Sequence, residues 1–479
     1  MYYLLDGSRG HSSKRLKRLA MDWTDYGDYG VEYDELLGLS EARLIDYNCK
    51  DALVTVELRE KFLHVMQSAW GESMINGYNN VVKPAQLLLF WATVNGMKVD
   101  VAYGIQLLKD LQGKIKVIGD KVKVITGRDL NLGSPKQMLT YLNEQGVNIT
   151  STGVEILEQY AGKNVIVDML LEHRQLSKLC NTYVKPTLET HLKEGNIIHG
   201  KFDLTGTVTG RIASSDPNMQ NIPVRIGPMI EMMFISRFED GYIVKADYSQ
   251  MELRVAAIYS NDKRMIEFFK TGKDIHNMVA TDIYGVPESE MLSGSQRAKD
   301  ARRIAKGFNF GVIYGRSAYS IAQELNIDVS DAEGKKNEYF RLFSQLKGWL
   351  VKTEEQAVLD GYVRNMFGRV RYIPGLRSNV DKIKSKALRE AVNTPIQGAA
   401  SDIALLGALR TYQEIQKRGL KTKFVNFVHD AMLFDVPSNE LEEVVSIIKE
   451  KAVQLPLFVK TDVPLAIDTA WGKTWGDCK

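Results

Sequence analysis

Residues 242–254 read Tyr242-Ile-Val-Lys-Ala-Asp247-Tyr-Ser-Gln-Met-Glu252-Leu-Arg254, and open with a short β-branched and aromatic run that ends on a carboxylate. Far along the chain, Phe424-Val-Asn-Phe-Val-His429-Asp430 repeats the pattern within a β-like run from Phe424 to Val436. Taken singly, each aspartate reads as a turn former at a strand end. If the two strands pair, two carboxylates meet at one sheet edge, a standard way to bind Mg²⁺ through oxygen ligands. Two such ions about 3.5–4 Å apart can activate an attacking hydroxyl and stabilise a leaving phosphate oxygen. The intervening stretch, about Asn261 to Gly361, is largely helical by pattern. An α+β body with a helical insertion is therefore expected.

The β-like character begins near Ile197, with a run at Ile197–Leu204. Upstream, Leu108, Leu111, Ile115, Ile118, Val122 and Ile125 recur in alternating steps of three and four, the seam of a long helix packed on a partner. A helical tract from Val154 to Val184 can supply that partner, and a loop containing Asn131-Leu-Gly-Ser-Pro135 joins the two into an arm. Gly71 to Asn80 reads as a joint. Ser40 to Ser68 reads as a helix marked by Leu44, Tyr47, Leu53, Val56 and Leu58.

The 479 residues leave room for several domains, and 44% hydrophobic with 25% charged residues excludes wholesale disorder. No uncharged apolar run approaches the roughly 18 residues of a membrane span. The opening Met1 to Asp6 turns polar too soon for a signal peptide. Cys49, Cys180 and Cys478 form neither a disulfide framework nor a metal knuckle, which fits a reducing cytosol. Net charge is only +3, from 62 basic and 59 acidic residues. Clustering says more: Arg297, Lys299, Arg302, Arg303 and Lys306 face the single acid Asp300, and a second basic stretch runs from Arg364 to Arg389. Such runs are ordinarily solvated faces, but on a near-neutral chain they also suit a cleft that holds a polyanion.

One of these runs continues as Arg302-Arg-Ile-Ala-Lys306-Gly-Phe-Asn-Phe310-Gly-Val-Ile-Tyr314-Gly315. On a helix, positions 302, 306, 310 and 314 form a slowly winding stripe that reads cation, cation, aromatic, aromatic. Two cations to hold a triphosphate and two rings to pack on sugar and base are how nucleotides are usually gripped. An amphipathic helix with a basic face explains the cations equally well, but not the aromatics that continue the stripe.

Asp247-Tyr-Ser-Gln-Met-Glu-Leu-Arg254, Arg302 to Gly315, and Val428-His-Asp430 resemble motifs A, B and C of family A DNA polymerases, in order and spacing. Thr209-Gly-Arg211 with Ser214-Ser-Asp-Pro-Asn218-Met-Gln220-Asn221-Ile-Pro223 resembles the family's segment beside the primer–template. Arg389 and Asn393-Thr-Pro-Ile-Gln397-Gly398 resemble the helix leading to motif C, and Leu171 to Tyr183 the thumb helix. Together these cover roughly residues 80 to 479. The resemblance implies a right-hand fold: thumb at 98–190, palm at 191–260 and 355–479, fingers at 261–354, and a connector at 73–97. It implies two Mg²⁺ ions, with Mn²⁺ as an alternative, on Asp247, Asp430 and the Tyr248 carbonyl. Arg302, Lys306, Phe310, Tyr314, Gln250 and His276 would receive the dNTP, with Glu252 as a gate against a ribose 2′-OH. Arg211, Asn218, Gln220, Asn221, Arg254, Arg371, Arg389, Asn393, Gln397 and His429 would lie along the DNA. The implied reaction is attack of a primer 3′-OH on the α-phosphate, with loss of pyrophosphate.

Two departures stand out. Motif C usually reads His-Asp-Glu, and here it is His429-Asp430-Ala431; Met251 replaces the more usual Ile of motif A. Residues 1–72 resemble a remnant of the ribonuclease H-like 3′–5′ exonuclease domain, through Tyr47-Asn-Cys-Lys-Asp51, yet residues 1–46 hold no Asp-x-Glu triplet. A Tyr and Asp one helical turn apart are ordinarily structural. No proofreading is expected from this chain alone, with the remaining part lost or held on a separate exonuclease or processivity partner. A monomer in the cytoplasm is expected, at the nucleoid or in a host cell if the source is viral. Two rivals remain: a non-catalytic nucleic-acid-binding subunit, and a single-subunit RNA polymerase, which Glu252 and its DYSQ context oppose.

Overall fold

The computed structural model describes residues 1–6, 15–31, 33–222, 228–325 and 327–478. Pro223 of the primer–template segment lies outside them.

The first long helix is α1 (Glu41–Val65), capped by the Ser40 hydroxyl, which accepts from the Arg43 amide. It buries Val54, Leu58 and Phe62, so of the predicted marks Leu58 lies in the core, Tyr47 is half-buried, and Leu44, Leu53 and Val56 are exposed. Tyr47 and Asp51 lie on it. The Lys17 ammonium pairs with Asp51 and sits 3.9 Å from the ring centroids of both Tyr29 and Tyr47. Gly71 to Asn80 is not the loop its composition suggests: helical turns run through it into α2 (Lys83–Asn95).

The arm starts with α3 (Val101–Thr126), whose buried seam is Leu107, Leu111, Ile118 and Val122. The tract expected as one partner helix is broken, because Ala161-Gly-Lys-Asn164 interrupts it and Gly162 adopts positive φ. Its packed portion is α5 (Val165–Lys178), preceded in the chain by a helix not anticipated from the sequence, α4 (Pro135–Glu144), which Ser134 caps.

The body is built on β1 (Tyr242–Tyr248), followed at once by α6 (Met251–Ser260). The helical block then includes α7 (Ile275–Asp282), α8 (Gln296–Ile313) and α9 (Ser344–Asp360), as the pattern predicts. The chain returns through α10 (Asp381–Lys417), β2 (Lys423–Val428), β3 (Ala431–Val436) and β4 (Ile467–Gly472). These strands form an antiparallel sheet in the order β2–β3–β1–β4.

This order corrects the simple pairing expected for the two aspartate strands. Phe424–Val436 is a hairpin rather than one run, turning at His429-Asp430, and β3 lies between the strand that leads to Asp430 and the strand that carries Asp247. The carboxylates converge because the turn places Asp430 beside Ala431, which is directly across from Asp247.

Alternation divides the sheet's residues between two cores. Val244, Ala246, Met432, Phe434 and Phe427 belong to a core shared with α10 and the helical block, while Ile243, Val425 and Leu433 pack with the arm. The end of the sheet around Asp247 lines a cleft.

Candidate active site

A cleft of about 710 Å³ lies between the sheet end and α8. Asp247, Tyr248, Gln250, Glu252, His276, Arg302, Lys306, Phe310, Tyr314, Arg211, His429 and Asp430 all line it. The structure thus brings together the two aspartates and the whole stripe.

On the sheet side, cross-strand partners share a face, so Ala431, Asp247 and Asp468 form one row across β3, β1 and β4. Burial first, and the Asp247 carboxylate next, push the Asp430 carboxyl up to about 6. A bound cation would relieve that repulsion. Among the described residues no group of three His, Cys, Asp or Glu side chains is placed to hold a metal. The carboxylates that line the cleft are those of Asp247, Glu252, Asp430 and Asp468. All are hard oxygen ligands, suited to Mg²⁺ completed by substrate and water. Gln250, in the left-handed region at φ 56°, adds a buried side-chain oxygen with no protein partner. Lys245, two residues before Asp247 on the same face, places its ammonium 3.3 Å from the Asp247 carboxylate.

Glu252 sits in the first turn of α6, only 9% exposed. It accepts from Arg211 Nη2 at 2.6 Å and from the Tyr314 hydroxyl. Burial pushes its carboxyl up, and Arg211 pulls it back. Met251 beside it is buried under the cleft floor.

On the helical side, Ser295 caps α8 through the Ala298 amide, and Tyr314 follows its last turn. Arg297 and Arg303 pair with Glu290 and Asp300 on a solvated face. Arg302 instead turns to Asp274, which accepts from its Nε at 3.1 Å and Nη2 at 2.6 Å while capping α7 through the His276 amide. Among the described residues Lys306 has no acidic partner in the salt-bridge range. Phe310 packs between His276 and Tyr314, with centroids 5.9 and 5.8 Å away.

The DNA-side expectations divide. Asn218 and Asn221 line a second cavity of about 620 Å³ with Tyr183, at the base of the arm. Arg389 packs near Gly315, Asn393 lies 3.5 Å from the Tyr314 carbonyl, and Gln397 is half-buried on α10. Three others are spent inside the protein. Gln220 is buried and donates to the Phe427 carbonyl at 2.8 Å. Arg371 pairs with Glu390 at 3.0 Å and donates to Thr394.

Arg254 is 5% exposed, donates to the Ser249 and Pro464 carbonyls, and lies 4.5 Å from the Phe269 ring centroid. Replacing a buried, hydrogen-bonded guanidinium strands two carbonyls, so Arg254→Ala should lower unfolding stability by about 2–4 kcal/mol. Denaturant titration measures this. Duplex affinity per folded molecule should stay unchanged, and a selective loss of affinity would return Arg254 to the DNA surface.

Lys245, Asp274, Asn309 and Asp468 were missed from sequence. Lys245 was legible, since positions two apart on a strand share a face. Asp274 carried a capping signal, an aspartate directly before a helix. Asp468 lay in a strand not anticipated.

Residues 102–477 match the profile of DNA polymerase family A. The chain is 35% identical to DNA polymerase I of Bacillus subtilis over 95% of its own length and 52% of that protein's. It is 34% identical to the thermostable DNA polymerase I of Thermus thermophilus, covering 100% of the chain and 54% of that protein. The chain therefore spans about half the length of these relatives. Among solved structures, it resembles the POL domain of Pol1 from M. smegmatis in complex with DNA primer-template and dNTP. The TM-score is 0.85 at 28% identity, covering 100% of this chain and 81% of that one.

Proposed function

The chain belongs to DNA polymerase family A, and from that premise we propose that it is a DNA-dependent DNA polymerase acting in replication or repair. The observation that carries the reading is the single cleft in which Asp247 and Asp430 face the Arg302–Lys306–Phe310–Tyr314 stripe. In it, Arg302, Lys306 and His276 bind and orient the triphosphate, and Phe310 and Tyr314 pack on its sugar and base. Glu252, held by Arg211 and Tyr314, closes the space of a 2′-OH. Divalent ions held by Asp247, Asp430 and the Tyr248 carbonyl would supply charge neutralisation at the attacking and leaving oxygens. The protein's share is positioning and preorganised charge, with little covalent work.

Primer extension with Mg²⁺ and four dNTPs tests the reading. Duplex binding without extension would install the non-catalytic subunit in its place; the row in which Ala431 stands opposite Asp247 favours that second reading. Glu252→Ala should raise ribonucleotide relative to deoxynucleotide incorporation by about 10–100-fold, equivalent to roughly 1–3 kcal/mol of lost discrimination. Competing-substrate extension measures the ratio, and an unchanged ratio removes Glu252 as the gate.

The N-terminal region we read as an exonuclease remnant without proofreading. Asp51 supports this, because its carboxylate is occupied by Lys17 and by the Tyr29 hydroxyl at 2.8 Å. Removal of a mismatched primer end without dNTPs would contradict it. Among the described residues no helix is long and apolar enough to cross a membrane.

A further inference from the structure

We propose that Asn309 is a positioning residue that fixes His276 as the Nε2–H tautomer, so that the ring presents a hydrogen-bond donor to the nucleotide's phosphates. The second half of this statement rests on the polymerase reading above. The first half rests on hydrogen-bond geometry alone.

Asn309 lies on α8 and is 0% exposed. Its amide nitrogen is 3.0 Å from the Ala305 carbonyl and 3.0 Å from His276 Nδ1. A carbonyl oxygen can only accept, so the group facing it must be the NH₂ and not the amide oxygen. Turning the amide over would set two oxygens against each other. The remaining amide hydrogen therefore points at His276 Nδ1, which must offer a lone pair. A neutral imidazole carries one proton, and it is left to Nε2. Among the described residues Nε2 has no hydrogen-bond partner. The ring cannot rotate freely, being 2% exposed and packed against Phe310.

Asn309 Oδ1 is buried without a partner. The amide is thus oriented by its nitrogen, at the cost of leaving its oxygen unsatisfied. The same contact disfavours imidazolium, which would set one N–H against another. The charged groups facing the ring act alongside. Burial above all, with Arg302 and Lys306 on α8 acting in the same direction and Asp274 at the cap of α7 opposing them, lowers the His276 pKa to about 4. A neutral ring that always donates is suited to a phosphate oxygen over a wide pH range.

The test is a ¹⁵N-histidine correlation spectrum of the unliganded protein from about pH 5.5 to 8, with His276 assigned by its loss in His276→Gln. Wild type should show a protonated Nε2 and a bare Nδ1 throughout. Asn309→Leu should give a mixture of tautomers. With a dideoxy-terminated primer–template, it should also weaken dTTP binding about tenfold, while Asn309→Gln restores part of each. An Nδ1–H signal in wild type overturns the proposal whether or not the variants fold, as does an unchanged spectrum in Asn309→Leu. A fixed tautomer in a protein that extends no primer would uphold the assignment and fail the nucleotide reading instead.

Discussion

Asp430→Asn is expected to reduce primer extension by about 10³-fold or more. Removing one of two carboxylates from a cation site forfeits several kcal/mol of transition-state stabilisation, at about 1.4 kcal/mol per tenfold. The same change should make the protein harder to unfold in metal-free buffer. Because burial and Asp247 raise the native carboxyl to about 6, its contribution to stability is fully present below the unfolded value near 4 and lost as pH rises through 6. An amide carries no such penalty. The variant should therefore gain on the order of 2 kcal/mol over wild type at about pH 8, and little at about pH 4. Urea unfolding in EDTA at both pH values, beside the extension assay, reads both effects. Unchanged turnover would remove Asp430 from the site, and a loss of stability at the higher pH would show that its carboxylate has a favourable partner.

Lys306→Ala is expected to lower kcat/KM for dNTP by about 10²–10³-fold, the usual effect of losing one preorganised charge aimed at a reacting phosphate. Arg302→Ala should cost less, about tenfold. Among the described residues Lys306 has no acidic partner in the salt-bridge range, whereas Arg302 is already bound through two nitrogens to Asp274. A triphosphate must compete for Arg302, so its net contribution is a difference between two ion pairs. Single-nucleotide incorporation kinetics would compare the two variants. Equal losses would mean that Asp274 releases Arg302 without resistance.

The parts of the site that follow a simple period were legible in the sequence. The stripe along α8 could be placed from spacing alone, and Asp247 from the β-branched and aromatic run that it closes. What was not legible depends on the tertiary fold. The hairpin at His429-Asp430 has no glycine or asparagine to announce it, and His429 supplies the positive φ of 58° that such a turn requires. The run Phe424–Val436 therefore looked continuous, and the insertion of β3 between the aspartate strands was hidden. Arg254 and Gln220 look like surface polar residues until carbonyls from distant segments close over them. Gly71–Asn80 shows that local composition yields to packing: Met74 is fully buried, and a Cβ at Gly77 would fall 2.0 Å from the Phe367 carbonyl oxygen. That close approach, rather than a turn, explains the glycine.

The lysine beside Asp247 changes the kind of equilibrium the pocket takes part in. A divalent ion held there would not meet a bare carboxylate; it would have to displace an ammonium already 3.3 Å away. The displaced charge cannot diffuse off, because it is tethered to the same strand. A phosphate group arriving in the same cleft is an anion that could receive that ammonium. On the proposed reading, uptake of the ion and arrival of the polyanion would then favour one another through one side chain.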